Sequence, residues 1–190
     1  MTTTNKARTL ALVGMPGAGK TLCAKFLEEK GYYQFRFGGI VTDEVERRGW
    51  QINPENERIV REELRRNEGM DVMAKRALPQ LHTALETHQT IIIDGLYSFS
   101  EYKTLRTEFP DSMMVVAITA PRNMRYHRLS ERPIRPLTPA QAEKRDWQEI
   151  ETLEKGGPIA IADYTLVNDG NPEDLLKKLE TLMSDLGMVL

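Results

Sequence analysis

The sequence is short of the residues that build disulfides and soft-metal sites. Cys23 is the lone cysteine, which excludes an internal disulfide and a cysteine-based zinc site. It lies in an apolar helical stretch and reads as packing. The three histidines, His82, His88 and His127, show no ligand spacing and read as surface or helix residues. No apolar run approaches the roughly 20 residues of a membrane span. The start, Met1 to Arg8, is polar, reads as a loose tail and lacks a signal-peptide core, so the expected location is the cytoplasm. Neither sign of charge dominates: 26 Lys and Arg against 28 Asp and Glu leave a formal −2, which argues against a general nucleic-acid binder. There is no internal repeat, low-complexity tract or interdomain linker. The 190 residues are enough for one domain with a substantial core.

What is present starts with Gly14-Met15-Pro16-Gly17-Ala18-Gly19-Lys20-Thr21, which fits the P-loop pattern of Gly, four residues, Gly-Lys-Ser/Thr. Thr9 to Val13 before it reads as a short buried strand, and Leu22 to Lys30 after it as a helix ending at Gly31. Glycines let the backbone turn and a phosphate approach closely. Successive N–H groups then converge on the anion at the positive end of the helix. Such a loop implies ATP and Mg²⁺, with Lys20 reaching the β- and γ-phosphates and the Thr21 hydroxyl on the metal.

Strands and helices alternate along the rest. Tyr32 to Phe37 reads as a strand ended by Gly38-Gly39, followed by a helix from Ile40 to Arg48. Asn53-Pro54 caps a helix reaching about Asn67, whose Glu57–Arg61 and Glu62–Arg66 spacings suit an exposed face. Asp71 to about Glu86 is helical, with Pro79 as a place for a kink. Gln89 to Asp94 is a β-branched strand of the kind covered on both faces. A helix over 99–108 and a strand over 113–119 follow. Pro121 opens an arginine-rich helix, Thr138-Pro139 caps a polar helix to about Lys155, and Gly156-Gly157 breaks it. Residues 159–163 lead into a last strand at 164–167, a turn at 168–170 and an amphipathic helix from Asn171-Pro172. This pattern predicts a three-layer α/β fold with a parallel sheet flanked by helices. Two stretches, 40–86 and 122–155, look like insertions at carboxyl ends of strands, where open α/β sheets bind ligands.

Three further segments carry chemistry. Asp94-Gly95 ends a strand, where a carboxylate facing the P-loop can hold Mg²⁺ or orient an attacking hydroxyl. Arg122, Arg125, Arg128, Arg132 and Arg135, with Arg145 further on, recur at spacings of three and four. Arginine forks suit the oxygens of a transferring phosphoryl group. A solvated basic face and a nucleic-acid patch are the alternatives. Residues 162–170, Ala-Asp-Tyr-Thr-Leu-Val-Asn-Asp-Gly, form a strand ending in a tight turn.

Taken in order, the P-loop, Ile93-Asp94-Gly95, Arg128-Leu-Ser-Glu-Arg132 and the 162–170 segment resemble the P-loop nucleoside-monophosphate kinase superfamily, in its adenylate-kinase-like and dephospho-coenzyme-A-kinase-like branch. The resemblance implies a five-stranded parallel sheet, an acceptor-binding helical part at 40–86 and a LID at 122–155. It implies that Lys20, Asp94, Arg128, Arg132 and Arg145 serve catalysis, that Thr21 and Asp94 hold Mg²⁺, and that residues 14–21 with Asn168 and Gly170 bind ATP. The implied partner is a small-molecule phosphate acceptor, such as a nucleoside monophosphate, on a monomer or homodimer; nucleic acid and membrane are not expected. A dephospho-coenzyme-A kinase and a non-kinase ATP-binding switch with slow ATPase activity remain as alternatives. Adenylate kinases place Thr-Gly-Asp and an arginine after strand two, where this chain has Phe37-Gly38-Gly39 and Ile40-Val41-Thr42. They follow Asp-Gly with arginine, where this chain has Leu96-Tyr97-Ser98. Dephospho-coenzyme-A kinases carry an Asp-containing segment where Phe35-Arg36-Phe37 stands. The acceptor-phosphate arginines are thus displaced, with Arg36, Arg47, Arg48 or Arg61 as substitutes.

Overall fold

A computed structural model describes residues 8–190. The expectation of a loose tail lies outside the described residues for 1–7, whereas Arg8 is fixed, its guanidinium donating to the carbonyls of Leu85 (2.5 Å) and His88 (3.0 Å). Five strands, β1 (Thr9–Val13), β2 (Tyr33–Arg36), β3 (Ile91–Asp94), β4 (Met113–Thr119) and β5 (Tyr164–Val167), make one sheet in the order β2-β3-β1-β4-β5. Every pairing is parallel. The helices are α1 (Lys20–Glu29), α2 (Phe37–Arg47), α3 (Pro54–Glu68), α4 (Val72–Thr87), α5 (Phe99–Glu108), α6 (Arg122–Ser130), α7 (Pro139–Glu151), α8 (Gly156–Ala160) and α9 (Pro172–Asp185).

The central strand shows why the sheet needs helices on both faces. All five residues of β1 are buried. Leu10 and Leu12 point to one side, into a cluster with Cys23 and Leu27 of α1 and Leu175 and Leu179 of α9. Ala11 and Val13 point to the other, among Val41, Val45, Val72, Ala77, Leu81 and Leu105. That second cluster draws on α2, α3 and α4, so the stretch 40–86 is built into the core of the sheet. β1 lies between β3 and β4, and the crevice at their carboxyl ends is the switch point where ligands bind in open α/β sheets. The register sets Asp94 beside Leu12 and Arg36, next to the start of the P-loop.

Two local expectations change, at residues 37–39 and at 151–157. The chain turns helical at Phe37, one residue before the glycines expected to break it. Phe37, Ile40, Val41 and Val45 form a buried face that starts at Phe37, and this packing overrides the low helix propensity of Gly38 and Gly39. α4 continues across Pro79. The polar helix stops at Glu151, and Gly156-Gly157 open a short helix. Between them Glu154 takes a left-handed backbone (φ 54°). Its carboxylate accepts from the Ser100 hydroxyl at 3.0 Å, which pins the turn onto α5 and buries Lys155 beside it.

α5 begins with a capping box. The Ser98 oxygen accepts from the Glu101 N–H at 2.9 Å, and the Glu101 carboxylate accepts from the N–H groups of Ser98 and Tyr97, both at 2.9 Å. This box fixes the loop that leaves Asp94. Ser98→Ala is expected to cost about 1–2 kcal/mol, read as a melting temperature lower by a few degrees.

Candidate active site

The P-loop joins β1 to α1 and is gripped from both sides. Gly17 and Gly19 have φ of 79° and 115°. A Cβ on Gly17 would lie 2.6 Å from the Arg125 carbonyl oxygen, and one on Gly19 would lie 2.4 Å from Asn168 Nδ2. The Pro16 carbonyl accepts from Arg125 Nη1 at 3.0 Å, and the Ala18 carbonyl accepts from Asn168 Nδ2 at 2.7 Å. Asn168 is buried at the end of β5, and its N–H donates to the Thr119 carbonyl at 2.7 Å.

A cleft of about 790 Å³ opens above the carboxyl ends of the strands. On one wall are Met15, Pro16, Gly17, Gly19, Lys20 and Thr21, and around them Asp94, Arg128, Arg132, Arg145 and Asn168. The remaining expected residues stand outside the lining. Gly14 offers its carbonyl to Lys20 Nζ at 2.7 Å. Ala18 is buried beneath the loop, and Gly170 lies exposed in the turn before α9.

The arginine row divides. A step of three residues turns a helix through about 300°, so successive guanidinium groups drift around it. Arg122 stays at the surface and pairs with Glu143. Arg125 turns inward and forks onto Asp146, with Nη1–Oδ1 at 3.0 Å and Nη2–Oδ2 at 2.6 Å. The Tyr126 hydroxyl donates to the same carboxylate at 3.2 Å. Arg125 therefore ties the roots of α6 and α7 to the P-loop. Arg135 is exposed. Arg128, Arg132 and Arg145 remain for the cleft. Arg128 donates through Nη2 to the Asn168 carbonyl at 3.2 Å, while its Nη1 is buried without a partner.

The cleft concentrates charge. Burial pushes the Lys20 ammonium down to about 7, and Lys155 lowers it further against the opposing pull of Glu149 and Asp94. Lys155 is 2% exposed, pairs with Glu149 and lies 4.7 Å from the centroid of the Tyr97 ring. Its ammonium is also lowered by burial, and the Tyr97 hydroxyl is raised by burial and then by Asp94 and Glu149. Glu149 accepts from Arg145 Nε at 3.0 Å as well. Burial and then Arg145 lower Arg132. Glu149 and Lys155 carry no motif in the sequence, and Tyr97 stood out there only as a position where the resemblance expects arginine.

The opposite end is lined by Phe37, Gly38, Val41, Met73 and Tyr97, with Arg61 and Arg65 from α3. Of the four substitutes named for the displaced acceptor arginines, Arg61 alone lines the cleft. Arg36 pairs with Glu28 at 2.6 Å, and Arg47 and Arg48 pair with Glu44 at 2.7 and 2.8 Å. Along α3 the ion pairs among the described residues are Arg58–Glu62 and Arg48–Glu63 in place of the two expected, and Arg61 lines the cleft. The Thr42 hydroxyl is occupied by the Gly39 carbonyl at 2.9 Å.

An oxygen donor set of Thr21 and Asp94 suits Mg²⁺, which takes few protein ligands and keeps water and phosphate oxygens. Among the described residues no group of three or more His, Cys, Asp or Glu is placed to hold a metal by itself. No helix there is long and apolar enough to cross a membrane.

The AAA domain family matches residues 10–154. A UPF0200 protein of Thermococcus gammatolerans is 35% identical over 178 residues, 92% of this chain and 93% of that one. Among solved structures, TT1252 from Thermus thermophilus superposes with a TM-score of 0.68 at 18% identity, covering 95% of this chain and 98% of that chain. A shikimate kinase from Bacteroides thetaiotaomicron gives 0.57 at 17% identity, covering 95% and 99%. The architecture is thus that of P-loop kinase-like proteins.

Proposed function

The chain belongs to the UPF0200 family and to the AAA domain family, and we propose that it is an ATP-dependent phosphotransferase acting on a nucleoside monophosphate or similar small acceptor. The observation that carries this reading is one cleft onto which Lys20, Asp94 and the three guanidinium groups of Arg128, Arg132 and Arg145 all open.

In this reading the backbone N–H groups of the loop, which Pro16 lacks, cradle the donor phosphates and Lys20 bridges toward the transferring group. Arg128, Arg132 and Arg145 stabilise its charge in a site shielded from water. Nη1 of Arg128, buried without a partner, is a donor suited to an arriving anion. Asp94 orients the attacking group and, with Thr21, would hold Mg²⁺, which would neutralise phosphate charge. Residues 122–155 act as the LID and 40–86 as the acceptor side; closure excludes water and limits wasteful hydrolysis. Asn168 supports the loop and borders the donor nucleotide. The matching shikimate kinase makes a small hydroxylated acid a second acceptor class to screen.

The test measures ADP release from ATP-Mg²⁺ across nucleoside monophosphates, dephospho-coenzyme A and shikimate. Acceleration by one class is expected. Slow hydrolysis that no acceptor accelerates would favour the switch reading.

The electrostatics of Lys20 add a pH signature. With its ammonium near 7 before a ligand binds, a bound polyphosphate holds the charged form and draws in a proton at pH 8. Calorimetry in buffers of different ionisation enthalpy is expected to show that uptake. Affinity is expected to weaken as pH rises from about 7 to 9, by up to roughly tenfold per pH unit. Equal affinity at both ends of that range, without proton uptake, counts against the role given to Lys20.

A further inference from the structure

We infer that the α3 end of the cleft binds an anionic group, phosphate or carboxylate, carried on an apolar body, with Arg65 and Arg61 as its cationic grip. The inference rests on the phosphotransferase reading and names the chemistry of the acceptor.

Arg65 is the central observation. Its side chain is 9% exposed, it lines the cleft, and its Nε is buried without a hydrogen-bond partner. Its one hydrogen bond from the side chain is a long one, Nη2 to Glu101 Oε1 at 3.4 Å. A buried guanidinium with donors left over is costly, and two oxygens of a carboxylate or phosphate satisfy two of them at once. Glu101 cannot close the account, because its other oxygen already accepts from the N–H groups of Tyr97 and Ser98. Arg61 stands one helical turn before Arg65 on the same face and opens on the same cleft.

The body of the ligand is set by what lies beside these cations. Phe37, Val41 and Met73 present an apolar floor. Gly38 leaves open space, since a Cβ there would meet nothing within 4 Å. The sheet also fixes where this grip stands relative to the chemistry. Glu101 touches Arg65 with one oxygen and with the other holds the loop that runs from Asp94 into α5. An anion seated on Arg65 is therefore referenced to the carboxylate proposed to orient the attacking group.

Two matched probes separate the sources of the anion: phenyl phosphate and benzoate, with benzyl alcohol as the neutral control. Each is titrated into the 190-residue chain, and ADP is titrated separately. At least one anion is expected to bind the wild-type protein and the alcohol is not. Phenyl phosphate alone identifies a phosphorylated acceptor, benzoate alone a carboxylic acid. Arg65→Met is expected to weaken that anion about tenfold to a hundredfold with ADP affinity unchanged. Arg61→Met is expected to weaken it less, and Arg65→Lys to fall between wild type and Arg65→Met. Binding of neither anion, equal binding of benzyl alcohol, or unchanged affinity in Arg65→Met overturns the inference. So does a matching loss of ADP binding in both Arg65 variants, which would make Arg65 a prop of the fold. Failure of wild-type ADP binding would instead strike the donor side and the proposed activity.

Discussion

Lys20→Met is expected to abolish phosphoryl transfer while making the ligand-free protein more stable. The loss follows from removing the cation that the proposed mechanism places on the transferring group, and turnover is expected to fall at least about a hundredfold. The gain in stability follows from burial. The ammonium is held near 7 against an ordinary value of 10.5, so below pH 7 the folded protein carries a desolvated charge that the unfolded chain carries in water. That penalty is present in full at low pH and fades as the pH rises from about 7 toward 10.5, where the folded form is neutral. Methionine keeps the length and removes the charge, at the expense of the bond to the Gly14 carbonyl. A domain of this size gains about 2–4 °C in melting temperature per kcal/mol. Calorimetric melting at pH 7, with and without ATP-Mg²⁺, checks both halves: a higher melting point without ligand and no further rise with it. A variant that melts lower and still turns over refutes both.

Arg125→Met is expected to have the largest effect on stability. Arg125 and Asp146 are both buried and joined by two charge-assisted hydrogen bonds. Removing one partner leaves the other as an uncompensated buried charge, a loss of about 3–5 kcal/mol. That corresponds to roughly 6–20 °C in melting temperature. The double variant Arg125→Met/Asp146→Leu is expected to recover most of it, because two apolar side chains of similar volume remove both charges together. It does not restore the bond to the Pro16 carbonyl, so nucleotide affinity is expected to stay below wild type after stability returns. If the double variant is as unstable as the single one, the loss comes from packing and the charge argument fails.

The two arguments mark how much of the molecule the sequence discloses. The sheet was readable because its strands are short apolar runs between turn residues, and the P-loop because its glycines and lysine keep fixed intervals. Asp94 followed from its place at a strand end. Arg125 did not: its spacing from Arg122 and Arg128 is regular, and what turns it inward is Asp146, twenty-one residues away. Lys155 was hidden for a related reason. A lysine at the end of a polar helix reads as solvated, yet the Glu154 turn pinned to Ser100 carries it into the cleft. On α3 the obstacle was a competing pattern. Glu57–Arg61 and Glu62–Arg66 match the helical pairing rule, but Arg48 reaches Glu63 and Arg58 takes Glu62. Spacing cannot choose between Arg58 and Arg66 for Glu62, the tertiary partner Arg48 overrides local pairing at Glu63, and no local rule places Arg61 and Arg65 at the cleft. Gly38 and Gly39 illustrate the same override in the backbone, where a buried face beginning at Phe37 outweighs two weak helix formers.

The double grip on the P-loop has a kinetic consequence. Because Arg125 and Asn168 hold the Pro16 and Ala18 carbonyls before any ligand arrives, the loop surrenders little conformational entropy on nucleotide capture. The encounter is then governed by diffusion and charge steering rather than by the folding of a disordered anion nest.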